Sequence, residues 1–220
     1  MNLGTAFYYP FKDPKWWLKA FIACICSSLV VTAPCTIGYG LRTVRHAAHD
    51  QPLPEWEDWG GLFADGLRVI ALGLGYMLPA LLLMIVTAVS AAFLGPLSLI
   101  LGLIAMVLGI MGTVRSTIAY MFLVPENGTL SDAFDFGAVT SILNNHKWLI
   151  IKFLIFIFIT NAFFKLVCNF SLTLVFSQIM PEWAANYLAL SILSPLILFI
   201  TAALYAQVMH KLSPVSLDET

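Results

Sequence analysis

The chain has 220 residues, of which 60% are hydrophobic and 10% charged, with mean hydropathy +0.89 and a formal net charge of −1. A soluble domain keeps roughly 25% charged residues to cover its surface, so this composition excludes a water-soluble globule. With no block of basic residues, it also excludes a nucleic-acid partner.

Uncharged runs extend over Ala20–Leu41, Val69–Leu94, Leu97–Val114 and Trp183–Met209. About 20 apolar residues cross the hydrocarbon core as a helix. In lipid the backbone must satisfy its own hydrogen bonds, so these runs are helical. Period-2 alternation, the mark of a membrane barrel, is missing. The expected fold is an all-α integral membrane protein: about four transmembrane helices, an N-terminal helical hairpin broken at Pro34, and short cytoplasmic interfacial amphipathic helices.

The chain reads as one membrane domain. Residues 1–19 form an interfacial N-terminus, aromatic and turn-rich and without the cleavage site of a signal peptide. Lys12, Lys15 and Lys19 stand beside Trp16 and Trp17, the pairing of lysine and aromatic that marks a membrane interface. Residues 20–48 hold the first apolar run, interrupted by Pro34 and closed by Arg42 and Arg45. A proline within a helix removes a hydrogen bond and kinks or ends it. A hairpin turning back at Pro34 leaves all but Lys165 of the 11 Lys and Arg residues on one side. Positive residues favour the cytoplasm, which puts both termini there, in a cell (inner) membrane. A single crossing by this run is the alternative.

Residues 53–66, "LPEWEDWGGLFADG", are expected to form an interfacial helix. Pro54 suits its first position and the acids Glu55, Glu57 and Asp58 suit its first turns. Trp56, Trp59 and Phe63 share one face at helical spacing, and Asp58 and Asp65 with the other acids face Arg42 and Arg45. Transmembrane helices are expected at 67–94, 97–124, 148–176 and 183–209, with a tail at 210–220. Ahead of the third of these, Thr129 and Asp132 fit a capping box, and Leu130, Phe134, Ala138 and Ile142 recur at i+4. "LGTAFYY" beside "LSDAFDF", and "PKWWLKAF" beside "HKWLIIKF", read as a weak internal repeat of an interfacial helix leading into the membrane. Transporters contain such repeats, and so do duplicated proteins that transport nothing.

Two further patterns lie inside the membrane. Gly102, Ala105, Gly109, Gly112 and Ser116 draw a small-residue stripe that suits close helix packing. Asn161, Lys165 and Asn169 draw a polar stripe. An intramembrane charge is a functional candidate, but Lys165 also falls where a lysine snorkels to the far interface. The cysteines Cys24, Cys26, Cys35 and Cys168 all sit in apolar runs and behave as small hydrophobes. His46 and His49 with Asp50 read either as metal ligands or as interfacial polar residues. "NGT" at Asn127 and "NFS" at Asn169 match the glycosylation pattern in places unsuited to it. No nucleophile elbow, P-loop, zincin or dinucleotide signature is present.

"YPFKDPKWW" and "GYGLRTVRHAAHDQPLPEWEDWGGLFADGLRVI" carry a resemblance. The Y-P-F-x-D-P start, the G-Y-x-L-R segment, and L-P-E-W-x-D-W followed by F-x-D-G-L resemble domain-of-unknown-function family 4013, uncharacterised multi-pass membrane proteins of bacteria and archaea. The match is specific over residues 8–70 and diffuse beyond. The resemblance implies an integral membrane protein and no reaction, ligand or cofactor. Together these readings lead to a non-enzymatic protein without cofactor or metal. It would be a scaffold or accessory subunit whose partners are the lipid bilayer and other membrane proteins or a second copy of itself. The alternative is a small transporter or channel-like protein.

Overall fold

The structure is a computed structural model that describes residues 3–163, 177, 178 and 180–212. The described residues are helices and turns, with no strand among them. In chain order the helices are α1 (Leu3–Tyr8), α2 (Trp16–Ser28), α3 (Ala33–Ala48), α4 (Trp59–Leu94), α5 (Pro96–Ala119), α6 (Leu130–Ala133), α7 (Phe136–Asn145), α8 (Lys147–Phe163) and α9 (Glu182–Leu212). Tight 3₁₀ turns follow α1 at Tyr9–Lys12 and α5 at Tyr120–Leu123. Trp59–Ala91, Ser98–Leu123 and Leu193–Leu212 are long and apolar enough to cross a membrane. A fourth span results if α7 and α8, separated by a short break, count as one. The fold is thus the all-α membrane protein the composition demands.

The chain divides into two compact units, Met1–Leu67 with His146–Thr220, and Arg68–Asn145. In the first, α9 is the central helix, packed by α3 and α2 and also touched by α1 and α8. Tyr39, Leu41 and Val44 of α3 are buried, as are Phe199, Leu204 and Val208 of α9. A Cβ on Gly40 would lie 2.8 Å from the Leu198 side chain, so this glycine lets α9 sit close. Two further glycines join α3 to the start of α4. A Cβ on Gly38 would collide with the Leu62 carbonyl, and one on Gly66 with the Pro34 carbonyl. Each helix therefore receives the other's backbone in a notch, the kind of contact that holds helices together in lipid.

In the second unit α4 and α5 run antiparallel. They are joined at Gly95, whose φ of +45° lies in the left-handed region that favours glycine. Pro96 then opens α5, where its missing N–H costs nothing. The small-residue stripe of α5 faces α4. Gly102 lies beside Thr87, Gly109 beside Ala80, and Gly112 beside the Tyr76 carbonyl, while Ala105 is buried. Tyr76 donates to the Ala133 carbonyl at 2.9 Å and stacks on Phe134.

Three expectations are corrected. Pro34 does not break the first apolar run. The break lies at Leu29–Thr32, and Pro34 stands in the first turn of α3, where a proline is tolerated. Residues 53–66 are not a separate amphipathic helix. Residues 53–58 are non-helical, and α4 begins at Trp59 and continues unbroken to Leu94. The i+4 series from Leu130 to Ile142 is not one helix. The Thr129–Asp132 capping box is present, but α6 stops after four residues. Asp135 then accepts from the Gly137 and Ala138 amides and starts α7.

Candidate functional site

The polar residues of the first unit gather around the segment Leu53–Asp58. Pro52 and Pro54 keep the start of this stretch out of a helix, because the residue before a proline avoids the helical region. Tertiary hydrogen bonds then hold it. The Lys19 ammonium of α2 donates to the Leu53 carbonyl at 2.7 Å and to Asp13 Oδ2 at 2.7 Å, and lies 2.9 Å from Glu55 Oε1. Its three N–H donors are thus matched by three oxygens. The Lys19 side chain is 3% exposed and that of Asp13 6%, so this pair is buried, whereas Glu55 is open to solvent. Asp13 Oδ1 also accepts from the Lys15 amide at 2.7 Å, which fixes the turn ahead of α2.

From α3, the Tyr39 hydroxyl donates to the Pro54 carbonyl at 2.8 Å. Its ring stacks on Trp56 with centroids 4.1 Å apart and planes within 5°. The Trp56 indole N–H donates to the Lys19 carbonyl at 3.2 Å. Leu53, Pro54, Glu55 and Trp56 are therefore each held by α2 or α3, and the segment acts as a strap across both helices. A further ion pair, Lys12 with Asp50 at 2.6 Å, ties the turn before α2 to the residues after α3.

One turn along, Arg42 of α3 reaches Asp58 at 2.9 Å, and its Nε lies 3.5 Å from Asp65. Arg45 lies 3.5 Å from the same Asp65 oxygen. Asp65 is buried between the two guanidinium groups. Asp58 has a positive φ of 53°, which aspartate tolerates better than most residues. It caps α4 by accepting the Gly61 amide at 3.1 Å. The Arg42 hydrogen bond, then the Gly61 amide, hold the Asp58 carboxyl below its ordinary range. At the turn between α1 and α2, burial and then the charges of Asp13 and Asp50 push the Tyr9 hydroxyl far above the usual phenol range. It stays protonated at any physiological pH.

The structure thus brings together Trp56, Asp58, Asp65, Arg42 and Arg45 of the candidate surface. Trp59 keeps a ring contact with Trp56, centroids 5.4 Å apart, but neither it nor Phe63 turns inward: they are 47% and 39% exposed. The inward positions are Leu62, Asp65 and Gly66. The reason is the late helix start: with residues 53–58 outside the helix, Trp56 is out of helical phase with Trp59 and Phe63. Lys19, which the sequence groups with Lys12 and Lys15 at the interface, is instead a buried member of the cluster.

Elsewhere, Asn161 of α8 donates to the Ile157 carbonyl at 2.9 Å, while Lys165 and Asn169 lie outside the described residues, as does Cys168. Cys24, Cys26 and Cys35 are free thiols. His46 Nδ1 sits 2.9 Å from the Pro52 carbonyl. Among the described residues there is no group of three or more His, Cys, Asp or Glu able to hold a metal ion.

Sequence reasoning missed Asp13, Lys19, Tyr39, Gly38 and Gly66 as members of one cluster. The available signal was the company of the motifs that carry the resemblance. Y-P-F-x-D-P supplies Asp13, G-Y-x-L-R supplies Gly38, Tyr39 and Arg42, L-P-E-W-x-D-W supplies the strap, and F-x-D-G-L supplies Asp65 and Gly66. Neither the curated proteins nor the solved structures give a match to this chain. A family model does, over residues 21–173. That match runs well past residue 70, through α4, α5 and α8, and starts after the Y-P-F-x-D-P turn. On this match the chain belongs to the family described as protein of unknown function (DUF4013).

Proposed function

We propose that the protein is a non-enzymatic scaffold or accessory subunit that packs against other membrane proteins in the lipid bilayer. The observation that carries this reading is the division of labour around the strap. The Lys19 ammonium is saturated by Asp13, Leu53 and Glu55, and Asp65 lies between Arg42 and Arg45. These charges are engaged in holding the chain's own elements together. Trp59 and Phe63, on the same short stretch, face outward. Exposed aromatics beside a rigid polar platform suit contact with a partner. In this reading the strap, Lys12, Lys15 and Lys211 lie on the cytoplasmic side of a cell (inner) membrane, in keeping with the one-sided count of basic residues.

The test is affinity capture from native membranes after mild cross-linking, with wild type and with Trp59→Ala/Phe63→Ala. A stoichiometric partner protein, or a second copy of this chain, that the double variant releases supports the scaffold. A monodisperse species with bound solute, indifferent to the double variant, overturns it. That outcome supports a small transporter, a reading favoured by Pro79 inside α4, Pro195 inside α9 and the break between α7 and α8.

A further inference from the structure

The α2–α3 hairpin has one charged end and one apolar end. At the first end, Lys19 of α2 and Tyr39 and Arg42 of α3 all meet the strap, and Lys12 pairs with Asp50. At the other, Leu29, Val30 and Val31 make the turn, 56%, 90% and 80% exposed. Loop tips in water are built from Gly, Asn, Asp and Ser, with their polar groups turned outward. Here the pattern is inverted.

Several polar groups of the tip are satisfied within the hairpin. The Thr32 and Ala33 amides both donate to the Leu29 carbonyl, at 3.1 and 3.0 Å, and the Cys35 amide donates to the Thr32 carbonyl at 2.9 Å. Pro34, between them, has no N–H to satisfy. The Thr32 hydroxyl donates to the Cys26 carbonyl at 2.8 Å, one of those left free at the end of α2. The Ser27 and Ser28 hydroxyls reach the Cys24 carbonyl at 3.0 and 2.8 Å. Internal satisfaction of this kind is what hydrocarbon requires, since an unpaired polar group there costs several kcal/mol. The outward side of α2 continues the apolar surface through Trp17, Phe21 and Ile25.

Length sets the depth. The 13 residues of α2 rise about 20 Å, against about 30 Å for the hydrocarbon core. We infer that the α2–α3 hairpin is a re-entrant wedge. It enters the bilayer from the side of its charged end and stops within the hydrocarbon, and what covers Leu29, Val30 and Val31 is lipid acyl chain. This holds whether or not a protein partner binds at Trp59 and Phe63.

The test uses the full chain in phosphatidylcholine–phosphatidylglycerol vesicles. With the native cysteines replaced, nitroxide labels go on Val31→Cys, on Lys15→Cys at the charged end, and on Leu82→Cys in the middle of α4. Position 31 should collide freely with oxygen and lose collision with an aqueous nickel chelate to the level seen at position 82, while position 15 shows the reverse. A second measurement needs no substitution. A phospholipid carrying a diazirine at the end of its acyl chain is photolysed with the native protein, and the adducts are mapped by mass spectrometry. Adducts on residues 29–31 support the wedge. High chelate access at position 31 overturns it, because the tip is then in water. Labelling at position 31 by an impermeant maleimide from the side opposite position 15 overturns it, because the hairpin then crosses. Low collision with both reagents, or adducts on α4 but none on residues 29–31, overturns it, because protein then covers the tip.

Discussion

Replacing Lys19 by methionine is the sharpest probe of the strap. Methionine keeps the length and most of the volume of the side chain while removing the ammonium. Three oxygens then lose their donor: the buried Asp13 carboxylate, the Leu53 carbonyl, and the exposed Glu55 carboxylate. Glu55 is rehydrated at little cost, since exposed ion pairs contribute about 0–1 kcal/mol. Asp13 is not, and removing one partner of a buried pair costs ~3–5 kcal/mol. On the scale of soluble chains of this length, that is a fall in midpoint of roughly 6–20 °C. The assay is thermal unfolding in detergent micelles, followed by circular dichroism and by tryptophan emission. The cycle is completed with Asp13→Asn and with the double variant. If the loss comes from a stranded charge, the double variant recovers a large part of it, because exchanging both members of a buried pair is far milder than exchanging one. Strictly additive single effects, or a Lys19→Met variant as stable as wild type, would refute the argument that Lys19 and Asp13 lock the strap.

Four other outcomes are expected. Gly66→Ala and Gly38→Ala drive a methyl into backbone and should destabilise by at least the ~1–3 kcal/mol of overpacking, whereas Gly60→Ala meets nothing within 4 Å and should stabilise by up to ~1 kcal/mol; equal effects in the same melting assay would contradict the notched α3–α4 contact. In α5, Gly112→Ala puts a carbon 2.7 Å from the Tyr76 carbonyl while Gly109→Ala meets only an ordinary contact at 3.8 Å, so thermal stability should fall for the first and hold for the second, with Gly109→Leu falling as well. Trp56→Ala should cost stability toward the lower end of ~3–5 kcal/mol, through the Tyr39 stack and the Lys19 carbonyl, and Glu55→Gln with Glu57→Gln should cost little; a tolerant Trp56 beside intolerant carboxylates would turn the acids into a binding site. The Asp58 carboxyl is lowered in the folded chain, so its contribution is present above the ordinary value of 3.8 and lost as pH falls through the lower folded value; wild type and Asp58→Asn should differ in stability above that range and converge below it, and no pH dependence of the difference would refute the Arg42–Asp58 assignment.

The membrane class and the long apolar helices α4, α5 and α9 were legible because both rest on composition, and lipid leaves the backbone few choices; of the helix expected at 148–176, residues 164–176 lie outside the described residues. Thr129 and Asp132 were legible because a capping box is local. The meeting of Arg42 and Arg45 with the acids was legible from opposite charge on neighbouring segments. The strap was not. Pro54, the early acids and the aromatic spacing all suit a helix start, and what overrules them lies far off in sequence, at Lys19 and Tyr39. A lysine at the foot of an apolar run reads as interfacial, and only its pairing with Asp13, the Leu53 carbonyl and Glu55 makes burial tolerable. Gly38 and Gly66 look like any membrane glycines until the helix each one faces is known.

The packing of α3 against α9 bears on how the protein is made. Leu198, which seats on Gly40, follows it in the chain by about 160 residues, and at ~5–20 residues per second that separation is on the order of 10–30 s of synthesis. For most of that interval α2, α3 and the strap are complete, yet the cover for Tyr39 has not been made. The N-terminal hairpin must therefore wait with its inner face open until α9 has been made. Slowing translation ahead of α9 should lengthen that exposure and raise the fraction of chains lost to membrane proteolysis.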